Sequence, residues 1–167
     1  MPTFTQIGTA VTVGSGGAAS IDFSSIPSTY TDLVLVFSTR TSAASASGND
    51  ILSINGSSSS FSGRRLYGSG SSPASDTVTT WTGFTDANTA TASTFGNTAV
   101  YFTNYAGSTN KSYSIDTVQE QNGTTAYMGL AAGLWSNSAA INRLTLTPDS
   151  GNYVQYSTAY LYGVSNA

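Results

Sequence analysis

Leu33-Val34-Leu35-Val36-Phe37 places five apolar side chains at consecutive positions, without the alternation of a strand that has one face in water. Val and Phe favour extended backbone. A strand apolar on both sides predicts cover on both faces, so this segment is expected at the centre of a two-layer structure. Outward from it the same signals recur: short runs of Val, Ile, Thr, Tyr and Phe, parted by Gly, Asn, Ser and Asp. No stretch keeps a 3.6-residue period for three turns, so helix should be scarce.

The further strands expected are Ala10 to Val13, Ser20 to Phe23, Asp50 to Asn55, Arg64 to Tyr67, Thr77 to Phe84, Thr98 to Tyr105, Lys111 to Glu120, Thr124 to Trp135 and Asn142 to Thr147. From Tyr153 the alternation is cleaner. Val154, Tyr156, Thr158, Tyr160, Tyr162 and Val164 fall on one face, with Gln155, Ser157, Ala159 and Gly163 opposite, which reads as a half-buried strand. If the tyrosine face is core, Tyr160→Asp buries an unpaired carboxylate; if it is open, it is an interface or ligand surface. Asn122-Gly123 suits a type I′ hairpin turn, and Thr147-Pro148-Asp149-Ser150-Gly151 a β-turn between the last two strands. Thr41 to Asp50 and Ser57 to Ser75 are rich in Ser, Gly or Ala and are expected to be long surface loops or poorly paired edges. About ten strands without helices predict an all-β chain, a single β-sandwich domain over residues 1–167 with long Ser/Gly-rich loops. A jelly roll is the usual way to protect its edges.

Composition excludes more functions than it suggests. Of 167 residues, 28 are Ser and 25 Thr, so about a third carry a hydroxyl, whereas only 8% are charged. The chain has no His and no Cys. Ser-His-Asp and Cys-His catalysis, the commonest zinc sites and disulfides therefore drop out together. The net charge is −3, and only Arg64-Arg65 sets two cations side by side, so no basic stripe exists for nucleic acid. No apolar run approaches the about 20 residues of a membrane-spanning helix, and the start, Met1 to Ile7, lacks the features of a secretory signal. The chain is expected to be soluble and unprocessed, binding neither nucleic acid nor membrane. Beginning at Met and ending just past a strand, it is expected to be a complete small gene product.

Paired carboxylates are the remaining catalytic option. Asp116 and Glu120 lie four residues apart, about 13 Å on one extended strand. That exceeds the roughly 5 to 9.5 Å of glycosidase acid pairs. Asp22 and Asp32 could meet only through the fold. Gly48-Asn49-Asp50 and Asp149-Ser150-Gly151-Asn152 offer oxygen ligands but lack the Asp-x-Asp spacing that concentrates charge for calcium, so they read as turns. The sequons at Asn55, Asn110 and Asn122 match the roughly three or four that chance supplies in so hydroxyl-rich a chain. No catalytic, metal or cofactor residue is therefore assigned. Arg64, Arg65 and Tyr67 are the first place to look for docking on a negatively charged partner. Trp81 and Trp135, with Phe84 and Tyr105, could form a sugar-stacking platform, although aromatics in sandwiches more often pack the core.

Three segments carry a family resemblance. They are Ile21-Asp22-Phe23-Ser24-Ser25-Ile26-Pro27-Ser28-Thr29-Tyr30-Thr31-Asp32-Leu33-Val34-Leu35-Val36, then Asn104-Tyr105-Ala106-Gly107-Ser108-Thr109-Asn110-Lys111-Ser112, and Gly133-Leu134-Trp135-Ser136-Asn137 continuing through Leu144-Thr145-Leu146-Thr147-Pro148 to Tyr160-Leu161-Tyr162-Gly163-Val164. Together they resemble small virion structural proteins of tailed bacteriophages, particularly cyanophages. The resemblance implies a non-enzymatic sandwich displayed on a particle assembled in the host cytoplasm. Its partners would be the major capsid protein or other virion proteins, and no functional residues carry over. A compact chain without a fibrous repeat favours a capsid cement or decoration role over a fibre shaft. A homo-oligomer is expected, with a trimer favoured because it fits icosahedral three-folds. The other reading is a carbohydrate-binding receptor protein of the tail fibre or baseplate.

Overall fold

The computed structural model describes residues 1–70, 72–123 and 126–165. Thirteen strands and no helix occur among them: β1 Thr3–Gln6, β2 Val11–Thr12, β3 Ile21–Phe23, β4 Asp32–Thr39, β5 Ser47–Ile54, β6 Phe61–Gly68 and β7 Pro73–Val78. Then follow β8 Trp81–Asp86, β9 Gly96–Phe102, β10 Lys111–Gln119, β11 Tyr127–Trp135, β12 Leu144–Pro148 and β13 Thr158–Ser165. They form two antiparallel sheets. The larger runs β1-β13-β4-β9-β10-β11-β6-β7, with β2 also on β13; the smaller runs β3-β12-β5-β8.

β4 lies in the interior of the large sheet, between β13 and β9. Leu33, Leu35 and Phe37 point inward and are fully closed off, as are Val100, Phe102 and Leu161 beside them. The opposite side differs from expectation. Val34 and Val36 are only half-buried, because the small sheet covers one face alone and their outer neighbours are Tyr160, Tyr162, Tyr101 and Ala99 in register.

The tyrosine face of the last strand is therefore the outer one. Its core positions are Ala159, Leu161 and Gly163, while Tyr160 and Tyr162 stand half-buried outside. Gly163 is small for a reason: a Cβ there would meet the ring of Tyr30 at 2.2 Å. The strand is also shorter than its alternation suggests. Tyr156 takes φ 71° in a turn, and the chain crosses from β12 in one sheet to β13 in the other, so Thr147 to Gly151 does not join a hairpin.

Other boundaries moved too. Thr77 to Phe84 divides into β7 and β8 around Thr79-Thr80, where the chain passes from the edge of the large sheet to that of the small one. The strands expected at Asp50 to Asn55 and Arg64 to Tyr67 start earlier, as β5 from Ser47 and β6 from Phe61, so they take in parts of the two stretches expected as loops or poorly paired edges; β7 begins at Pro73 on the sheet edge, and β1 was not anticipated. Ladder bonds are made by backbone, and small side chains do not prevent them when neighbouring strands supply the register. Asn122 has φ 55°, but the β10–β11 ladder stops at Gln119 and Tyr127, so the connection is longer than a two-residue turn. Thr124 and Thr125 of that expected strand lie outside the described residues.

The hydroxyl content reaches the interior. The Thr98 and Thr117 hydroxyls pair at 2.7 Å, and Thr117 Oγ1 accepts from the Phe84 amide at 3.0 Å. β8 is thereby seated on the large sheet, an approach that needs Gly83, whose Cβ would lie 2.4 Å from Thr98 Oγ1. Both of these buried hydroxyls have a partner, which avoids the penalty of an unsatisfied polar group.

Candidate functional site

Along one inner row of the large sheet, Leu35, Val100, Ile115 and Ala131 stand side by side, and the next two positions are Arg65 and Asp76. The change has a structural cause. The small sheet ends at β8, which lies over β9, β10 and β11, and β6 and β7 extend past it. Where the cover ends, an amphipathic side chain can lay its stem on apolar surface and keep its charged head near water.

Arg65 does this. Its guanidinium centre lies 4.7 Å from the ring of Tyr67, 4.8 Å from Trp81 and 5.4 Å from Phe84. Nε and Nη2 donate to the two oxygens of Asp76 at 2.7 and 2.9 Å. That hydrogen-bonded guanidinium holds the Asp76 carboxyl below the usual carboxylate range. Nη1 makes no bond to the described residues. Phe84 in turn stacks on Tyr127 with centroids 4.8 Å apart.

From the small sheet, Asn49 completes the site. Trp81 Nε1 donates to its Oδ1 at 3.0 Å, and its Nδ2 donates to Asp149 Oδ2 at 2.6 Å. Two hollows open on either side of Arg65, sharing Asn49. One, about 310 Å³, is lined by Ser47, Ser69, Tyr67 and Tyr127; the other, about 320 Å³, by Ile51, Thr77, Thr79 and Trp81. The cleft offers one cation edge, aromatic surface and several neutral hydroxyls, a set that suits a hydroxylated ligand better than a polyanion.

The residues singled out from sequence are thus redistributed. Arg65, Tyr67 and Trp81 come together in this cleft, although Trp81 is 6% exposed and its ring is flanked by Arg65 and Phe84. Trp135 does not join them. It is 1% exposed, stands between Lys111 and Phe61 in register, and offers no face to a sugar. Arg64, adjacent in sequence to Arg65, points to the outer face and is exposed. Asp22 binds Arg143 and Thr145, whereas Asp32 accepts from Tyr101 and the Asn104 amide, so those two carboxylates serve different sheets. Asp116 and Glu120 are both exposed.

Two further features were not read from the sequence. Asp50 is fully enclosed, accepting from Thr39 Oγ1 at 2.9 Å and Tyr153 Oη at 2.7 Å. Burial pushes its carboxyl up to about 7; the two hydroxyls oppose that shift and the Asp149 charge adds to it. On the outer face of β10, β11 and β6, Val118, Met128, Leu130 and Leu66 are 43 to 62% exposed. Register makes them one patch, Val118 beside Met128 and Leu130 beside Leu66. The period-two alternation of these strands contained that signal. It was masked because apolar residues occupy both faces.

Compared with protein families, with curated proteins and with solved structures, the chain matches none.

Proposed function

We propose that the chain is a non-catalytic structural component of a bacteriophage virion, a cement or decoration protein that stabilises the head shell. The observation that supports this reading is the uncovered outer face of the large sheet. A monomer that functions alone seldom leaves Leu66, Val118, Met128 and Leu130 contiguous and open to water, and such a patch marks an association surface. Its partners would be further copies of the chain and the major capsid protein or other virion proteins. The jelly-roll closure expected for the sandwich belongs to the same reading. What favours it is the direct passage from β7 to β8, which links the two sheets at their edges. A shell-bound ligand stabilises the assembled state by mass action. The test adds purified protein to shells lacking it and measures co-sedimentation and rupture temperature; both should rise, and neither does if the reading is wrong.

The cleft favours a second reading, a tail receptor-binding protein that recognises carbohydrate. Its support is the convergence of Arg65, Tyr67 and Trp81 beside two hollows. In that case the protein ignores shells, adsorbs to host cells and blocks infection.

A further inference from the structure

The outer face of β10, β11, β6 and β7 carries two charges, Asp116 on β10 and Arg64 on β6, both exposed and neither in an ion pair with the described residues. They lie on either side of β11. Register sets Asp116 in the row of Leu130 and Leu66, and Arg64 in the neighbouring row of Ala132 and Ser114. Two strand spacings part them, about 10 Å across the sheet. A shallow hollow of about 390 Å³ adjoins Arg64, lined by Ser62, Gly63, Thr77, Ala132, Gly133 and Leu134.

We infer that this face pairs with the same face of a second copy about a two-fold axis. In an isologous contact residue i meets j while j meets i, so one basic and one acidic position flanking a centre satisfy each other twice. An axis lying between the two faces, over β11 between Ala132 and Leu130, does this. It carries Asp116 of each copy over the hollow beside Arg64 of the other, and sets Leu66 and Leu130 against their own symmetry mates. The occupant is thus selected by charge: any partner must present a cation and an anion in this apolar setting at the same separation, and a second copy does.

The inference deepens the assembly reading, resting on it only for the idea that the face is used. It selects a two-fold contact here in place of a three-fold one. Four strands at about 4.8 Å and eight residues at about 3.4 Å give a footprint of the order of 500 Å². That is short of the about 800 Å² per partner of a standard interface, so the dimer should be weak, with a micromolar dissociation constant.

Sedimentation equilibrium of the purified chain from about 1 to 300 µM tests it. A reversible dimer is expected. Arg64→Asp and Asp116→Arg should each weaken association at least about tenfold, since each sets like charges together twice, and the double reversal should restore it. Both side chains are exposed, so unchanged thermal melting serves as the control for folding. A monomer throughout, a trimer, single reversals without effect, or a double variant as weak as the singles would each overturn the inference. A monomer that still binds shells would overturn this contact and leave the assembly reading standing. A dimer that ignores shells would do the reverse.

Discussion

On the inner face of the large sheet, Leu35, Val100, Ile115 and Ala131 stand side by side and are closed off from water. One residue along, on the outer face, Val36, Ala99, Asp116 and Leu130 stand side by side in the same strands and are partly or largely open. Hydrophobicity separates these rows poorly. The inner row ends in Arg65 and Asp76, and the outer one continues to Leu66. Cover distinguishes them: β8 and its neighbours lie on one side, and no strand among the described residues lies on the other. The same residue type should therefore carry very different energy on the two faces.

The enclosed Asp50 gives the largest expected effect, because its carboxyl is buried with only hydroxyls bonded to it. Its pKa of about 7 lies above the ordinary 3.8, so the folded state holds the proton longer than the unfolded chain. Stability should then fall as pH rises from about 4 to 7, by of the order of 4 kcal/mol. Asp50→Asn keeps a group able to bond both hydroxyls and should flatten that part of the profile. Urea titrations at several pH values check both, and an unchanged slope in the variant would remove Asp50 as the cause.

Next in size is a matched pair of truncations. Leu35→Ala on the covered face should cost about 3 kcal/mol, and Leu130→Ala on the open face less than about 1. Equal losses in chemical denaturation would contradict the contrast. The adjacent arginines sharpen it further. Arg65→Ala removes the stacked guanidinium and should cost about 1 to 2 kcal/mol, while Arg64→Ala should stay within about 0.5 in dilute solution. Tyr160→Asp is also expected below about 1 kcal/mol, because the carboxylate stays in reach of water. A loss of several kcal/mol would return that tyrosine to the core.

β4 was legible because five consecutive apolar residues have few other solutions, and β10 because Tyr113, Ile115 and Thr117 alternate with Ser114, Asp116 and Val118. The last strand was legible as a strand but not in its sidedness. Large tyrosines signal burial more strongly than Ala159 and Gly163, yet the small residues face inward because Tyr30 needs the space over Gly163. In the same way Arg64-Arg65 looked like one cationic feature, although period-two geometry sends the two to opposite faces. Asp76 and Asn49 joined the cleft through a hairpin and a second sheet, and such long-range placement leaves little trace in local pattern.

Lys111, the chain's single lysine, is fully enclosed, its ammonium donating to the carbonyls of Gly107, at 2.7 Å, and of Thr109, with burial drawing its pKa down. An acylating dye needs access, and this side chain offers none while the protein stays folded. An activated ester should therefore leave the chain's single lysine unlabelled under native conditions. A label appearing on Lys111 would report opening of the loop that cradles it, turning an inert residue into a clock for local unfolding.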